Sequence, residues 1–170
     1  LERLVPVDVL GLAPGRLRYA FFTNTRGGLL DDLTIARSGD YLLLVVNAAC
    51  KAADEAHLRA RLGNESEVEP LNRALIALQG PKAEAALSLL APECVGMRFM
   101  DVGTLTLMGA ECMVMRSGYT GEDGFEISAP ADIARELAEE FLANASVAPI
   151  GLGARDSLRL EAGLCLYGSD

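Results

Sequence analysis

The chain has 170 residues, of which 51% are hydrophobic and 23% charged, and a formal net charge of −9. That balance supports a real core in one domain or two small ones. The acidic excess argues against nucleic acid as a partner, because phosphate binding needs a basic surface. No uninterrupted apolar run is long enough to span a bilayer, so no membrane partner is expected.

Residues 1–15 are apolar with Pro6 and Pro14 and are read as a strand or short helix followed by a loop. Residues 17–23 read as a strand, and Asn24-Thr25-Arg26-Gly27-Gly28 as a hairpin loop, since glycine tolerates the positive φ that such loops need. Residues 29–37 form the next strand, Ser38-Gly39-Asp40 turns it, and residues 41–47 return, which gives a three-stranded antiparallel meander. Residues 51–62 predict a helix with Ala52, Ala53, Ala56 and Leu58 inward, ended by Gly63-Asn64. A strand over 71–78 follows. Gln79-Gly80-Pro81 breaks it and opens a helix over 81–90, with proline in the permitted first turn. Residues 103–108 and 111–116 predict a hairpin around Gly109-Ala110, and residues 131–143 and 154–162 two more helices, the second closed by Gly163.

Hairpin-connected strands mixed with helices mean α+β, mainly antiparallel sheets with packed helices, rather than a parallel doubly wound sheet. The division is placed at 1–78, a meander plus helix, and 79–170, a second α+β subdomain. Cys50, Cys94, Cys112 and Cys165 are scattered without a C-x-x-C pair and read as free buried thiols. Both ends read as cut: the chain begins at Leu1 rather than methionine and stops at Asp170 just after a helical pattern.

Three constellations could carry chemistry. The first is Arg116-Ser117-Gly118-Tyr119-Thr120-Gly121-Glu122-Asp123-Gly124-Phe125-Glu126-Ile127-Ser128, a strand, a tight turn and a returning strand. Glu126 lies between Phe125 and Ile127, so on a strand it faces away from both. The second is Gly27-Gly28-Leu29-Leu30-Asp31-Asp32-Leu33. Carboxylates inside a strand are costly, and alternation puts Asp31 and Asp32 on opposite faces, where they cannot act as a dyad without a bulge. A wet hairpin end accounts for them as well as a functional carboxylate does. The third is Ala154-Arg155-Asp156-Ser157-Leu158-Arg159-Leu160-Glu161-Ala162-Gly163, either a salt-bridged solvent face or an arginine presented to an anion. His57 is the only histidine and reads as a surface residue on a charged helix; without a second histidine or a cysteine pair, zinc is not expected.

Together these motifs resemble the aminomethyltransferase, or T protein, family of the glycine cleavage system. The matching segments include Phe22-Thr23-Asn24, Gly27 onward, Val45-Val46-Asn47-Ala48, Ala77-Leu78-Gln79-Gly80-Pro81, the Gly118 turn, and Arg155-Asp156-Ser157-Leu158-Arg159-Leu160-Glu161-Ala162-Gly163-Leu164-Cys165-Leu166-Tyr167-Gly168. The resemblance covers almost the whole chain but only the middle half of the family pattern. It implies the folate-binding aminomethyltransferase fold, two intertwined subdomains, without the family's N-terminal segment and C-terminal β-barrel domain.

It further implies transfer of a methylene from the aminomethyl-dihydrolipoyl arm of H protein to tetrahydrofolate, with release of ammonia and no metal. The fragment alone is then expected to be inactive. By the same resemblance Asp32 is the catalytic carboxylate, Glu126 binds the pterin, Arg155 contacts substrate, and Tyr119, Phe99 and Val45 line the pocket. The compartment would be cytoplasmic in a bacterium and the mitochondrial matrix in a eukaryote. The alternatives are another folate-dependent enzyme of this fold, oxidising or demethylating dimethylglycine or sarcosine, a non-catalytic folate-binding assembly factor, and an inert folding unit. The Gly118 turn and the run from Ala154 favour the glycine cleavage enzyme. The expected Lys-Gly-Cys-type motif of the assembly factors does not occur in the chain.

Overall fold

A computed structural model describes every residue except 64 and 170. The chain divides into two compact units, Leu1–Leu71 and Asn72–Asp170.

The first unit is built on a meander of three antiparallel strands, β1 (Leu17–Thr23), β2 (Leu29–Ser38) and β3 (Tyr41–Val46), in that order. Its turns fall where glycine is needed: Gly27 has φ 78° and Gly39 φ 57°. Phe22, Leu33 and Ile35 are buried with Leu4, Val5, Val9 and Leu12. Those last four come from the segment expected to be a strand or short helix, which instead runs as turns and bends. Side chains replace a ladder there. The Glu2 carboxylate accepts the N–H groups of Val9 (2.7 Å) and Leu10 (2.8 Å), and Asp8 accepts that of Gly11 (2.7 Å).

Helix α1 (Lys51–Leu62) forms where expected and ends at Gly63, whose N–H bonds the Arg59 carbonyl; Asn64, the other half of the expected stop, lies outside the described residues. Its buried face is not the alanine one. Leu58 and Leu62 are inside, and Ala52, Ala53 and Ala56 are exposed. Two leucines bury far more apolar area than three alanines, and the i, i+4 spacing carries Asp54 in with them. His57, expected at the surface, is half-buried with its ring edge-on to Phe22 at 5.5 Å.

The second unit holds β4 (Arg73–Gln79), α2 (Ala83–Ser88), a 3-10 turn (Pro92–Gly96), β5 (Val102–Leu107), β6 (Ala110–Met115), β7 (Gly124–Pro130), α3 (Ala134–Ala143) and α4 (Leu152–Glu161). The sheet order is β4-β7-β6-β5, antiparallel throughout. Strand β4 pairs along its length with β7, from Arg73 opposite Pro130 to Gln79 opposite Gly124. The division therefore falls at 71/72 and not at 78/79: β4's hydrogen bonds belong to the later strands. The β5–β6 turn uses Met108 (φ 52°) and Gly109 (φ 80°), the paired left-handed residues that match strand twist. Leu87, Leu107, Val114, Phe125, Ile127, Leu137 and Phe141 form the core. The fold is α+β, as the hairpin pattern predicts.

Candidate functional site

In the first unit the polar cluster grows from β2. Asp31 and Asp32 do point to opposite faces, and Asp31 is 0% exposed. Asn47, just past the end of β3, joins them. Its Nδ2 donates to Asp31 Oδ1 (2.8 Å) and to Asp32 Oδ1 (2.5 Å), and its backbone N–H reaches Asp31 Oδ2 at 3.4 Å. The Tyr19 hydroxyl, on β1, donates to Asp32 Oδ2 at 2.6 Å. Both oxygens of Asp32 are thus held by donors, one on β1 and one just past β3, which fixes the position of the carboxylate.

Behind it, Asp54 on α1 is 4% exposed, lies close to Asp31, and has its Oδ2 buried without a hydrogen-bond partner among the described residues. Burial first, then the neighbouring Asp31 carboxylate, push Asp54 up to about 7. The same surroundings, burial foremost and Asp31 next, push the Cys50 thiol up.

In the second unit the glycine-rich stretch is folded around Gln79. Its Nε2 donates to the carbonyls of Ser117 (3.0 Å) and Phe125 (3.3 Å), and its Oε1 accepts from the Thr120 hydroxyl (3.3 Å). This explains two of the glycines. A Cβ on Gly118 would stand 1.8 Å from Gln79 Oε1, and one on Gly124 2.5 Å from the same amide. Gly118→Ala is expected to expel the amide and destabilise this unit by about 1–3 kcal/mol, the range for leaving buried polar groups unpaired. Urea unfolding checks it, and wild-type stability would show that the amide clamps nothing.

Arg116 closes the turn from outside. It pairs with Asp123 at 3.0 and 2.6 Å and with Glu84 at 2.6 Å, donates to the Met97 carbonyl, and lies over the Phe125 ring. The hydrogen bond from Arg116 holds Asp123 below the usual carboxylate range. Asp123 is therefore committed to holding the turn. Glu126, on β7, is half-buried: Ser117 Oγ donates to its Oε2 at 2.6 Å, and no described residue donates to Oε1.

The segment from α4 onward meets the same turn. The Arg155 guanidinium lies 5.4 Å over the Tyr119 ring, and the Tyr119 hydroxyl donates to the Cys165 carbonyl. Gly121 (φ 78°) packs on Ala162, where an added Cβ would come within 2.6 Å of the alanine's. Arg155 is exposed. Arg159 is buried, bonded to Asp156 Oδ1 (2.8 Å) and the Leu164 carbonyl (3.2 Å). The two arginines of α4 therefore divide between surface and interior.

Phe99 is 69% exposed in the loop before β5, and Val45 is half-buried on β3 beside Thr34. Tyr119 and Arg155 come together. Cys94 and Cys112 are buried free thiols, Cys50 is half-buried and Cys165 is exposed, which corrects the expectation that all four are buried. Cys165 lies past α4 in an irregular segment outside any helix or strand.

The resemblance named none of Tyr19, Asn47, Asp54, Gln79 and Ser117 as site residues. The signal for Asn47 was present in the hairpin: with Leu33 opposite Val46, the next residue of the returning strand must lie beside Asp32. Among the described residues no group of three or more His, Cys, Asp or Glu is arranged to hold a metal ion, and no helix is long and apolar enough to cross a membrane.

The fold and its clusters define the class: an antiparallel α+β protein whose polar groupings are built from carboxylates, amides and arginine. Comparison with known proteins gives the class its family. The GCVT N-terminal domain matches residues 1–170, and the chain belongs to that family. It is similar to the mitochondrial aminomethyltransferases of Dictyostelium discoideum, at 45% identity over 99% of this chain and 46% of that protein, and of Flaveria anomala, at 47% over 100% and 44%. Among solved structures it resembles the glycine cleavage system aminomethyltransferase T from Bartonella henselae, with a TM-score of 0.89, 44% identity, and coverage of 98% of this chain and 46% of that one. The chain thus spans somewhat under half the length of the relatives it matches.

Proposed function

We propose that the chain is part of an aminomethyltransferase of the glycine cleavage system. The reaction moves the methylene of an aminomethyl group, carried on the dihydrolipoyl arm of H protein, to tetrahydrofolate. The carbon–sulfur bond and the carbon–nitrogen bond to ammonia break, two carbon–nitrogen bonds form to the folate, and the two protons displaced from its nitrogens leave on the thiol and the ammonia. The observation that carries the reading is identity of 44–47% over 98–100% of the chain to proteins named aminomethyltransferase. All the relatives named above bear that name, which favours it over the oxidising and demethylating enzymes of the same fold.

Each unit has a part. In the first, Asp32 is the reacting carboxylate: held by Tyr19 and Asn47, it is a fixed negative charge suited to orient an amine and stabilise developing positive charge. In the second, Glu126 is the acceptor for the pterin ring. Its unengaged Oε1 fits a ligand that presents N–H groups. Arg155, stacked on Tyr119, supplies a cation for the acidic end of the substrate, and Phe99 in the second unit and Val45 in the first each offer an apolar side chain to a ligand within their own unit. Tetrahydrofolate, as co-substrate, contributes the nucleophilic nitrogens.

Titration of the full-length chain with tetrahydrofolate tests the reading. Glu126→Ala is expected to weaken binding by about 1.5–3 kcal/mol, the contribution of a hydrogen bond to a charged group. Unchanged affinity would remove Glu126 from the binding site.

A further inference from the structure

Half of the Glu126 carboxylate is already used inside the protein. The Ser117 hydroxyl donates to Oε2 at 2.6 Å, while no described residue donates to Oε1. Ser117 is only 7% exposed, so the bond is not in competition with bulk water. Nor is Ser117 free to drift. Its carbonyl accepts from Gln79 Nε2 at 3.0 Å, and the same amide nitrogen reaches the carbonyl of Phe125, the residue before Glu126, at 3.3 Å. Gln79 therefore ties together the two backbone positions that carry the hydroxyl and the carboxylate. Gly118 and Gly124 leave the space in which it does so: a Cβ on either would overlap the amide. One side chain from β4 thus sets the spacing of a donor and an acceptor that stand nine residues apart in sequence.

We propose that Ser117 is a positioning residue for Glu126, held from behind by Gln79, and that it takes up Oε2 so that Oε1 is the acceptor presented to the ligand. The inference rests on the reading of Glu126 as the tetrahydrofolate acceptor. A half-buried glutamate has several rotamers, and ordering it at the moment of binding costs conformational entropy. The Ser117 bond orders it beforehand. The ligand meets an oriented carboxylate rather than a mobile one, and the lone pairs of Oε1 are the ones open to its N–H donors. A donor that reaches Oε2 instead must share that oxygen with the serine hydroxyl.

The test uses the full-length chain, tetrahydrofolate as titrant, and four variants: Ser117→Ala, Ser117→Thr, Glu126→Ala and the double Ser117→Ala/Glu126→Ala. Ser117→Ala is expected to weaken tetrahydrofolate about tenfold. It should raise the KM for tetrahydrofolate by the same factor and leave kcat within about twofold, a split that general loss of structure would not give. Ser117→Thr, which keeps the hydroxyl, should recover most of the affinity. In the double variant the serine effect should vanish, because Ser117 acts only through Glu126.

Wild-type affinity in Ser117→Ala, with Glu126→Ala still impaired, overturns the positioning role and leaves the reading of Glu126 intact. Multiplicative losses in the double variant also overturn it. Unchanged affinity in Glu126→Ala overturns both. If Ser117→Ala does not fold, the comparison of Ser117→Thr with wild type decides: a loss beyond about tenfold in that variant, with its melting temperature unchanged, counts against the hydroxyl as the determining group.

Discussion

Asp32→Asn in the full-length chain is expected to lower the rate of ammonia release from loaded H protein by about 10²–10⁴, the range for a group acting directly on the reacting atoms. Affinity for tetrahydrofolate and melting temperature should stay close to wild type. The surroundings of Asp32 explain why the effects separate. Asn47 Nδ2 can only donate to Oδ1, whereas the Tyr19 hydroxyl facing Oδ2 can donate or accept. An asparagine at 32 can put its oxygen toward Asn47 and its amide nitrogen toward Tyr19, and every hydrogen bond survives. What disappears is the charge. Asp32→Ala would also leave the Asn47 amide without one of its acceptors, so it should lose stability as well as rate. A wild-type rate in Asp32→Asn would show that the charge is not what the reaction uses. Equal loss of stability in the two variants would show that the network does not tolerate the amide.

Much of the fold is legible in the sequence because its turns are chemically marked. Gly27, Gly39, Gly63, Gly109 and Gly163 all take the positive φ that their places in the pattern predict, and the strands between them begin and end within a residue or two of expectation. The failures share a cause. In residues 1–15 three backbone N–H groups are satisfied by Glu2 and Asp8, and no periodic pattern reports a hydrogen bond to a side chain. In α1 the alanines suggested a face, but Leu58 and Leu62 decided it, and they took Asp54 inside.

The site is legible to a different depth. Alternation placed Asp31 and Asp32 correctly on opposite faces. Alternation within β2 says nothing of Asn47; that residue is found only by carrying the β2–β3 hairpin register one step past Val46. Likewise the glycines at 118 and 124 read as turn residues. Their reason is the Gln79 side chain, some forty residues earlier in the chain. What an adjacent hairpin strand brings can be read from the register; what a strand distant in sequence places against a turn, as β4 places Gln79, cannot.

Asp54→Asn is expected to stabilise the protein at pH 8 and to change it little at pH 4. Asp54 and Asp31 are both buried and close to each other, and two charges cannot stand there together at low cost. Asp54 therefore keeps its proton until about pH 7, while in the unfolded chain it releases it near 4. The folded state binds the proton more tightly, so the contribution of this group is fully present below about pH 4. It declines as the pH rises and is gone above about 7.

Asparagine brings no charge beside Asp31 at any pH and has nothing to titrate. The variant should exceed wild type by about 2–4 kcal/mol at pH 8, the size of a shift of some three pH units moderated by relaxation of the pair. The other groups facing the pair are Cys50, held protonated by burial and by Asp31, and Asp32, reached through Asn47. On α1 itself, burial and Arg61 lower the affinity of His57 for its proton. That histidine opposes folding increasingly as the pH falls, but equally in both proteins, so the difference between them isolates Asp54. Urea unfolding of each at pH 4, 6 and 8 measures it. A difference that does not change with pH would mean that no proton is shared, and that Asp31 and Asp54 are held apart by some other arrangement of the helix on the sheet.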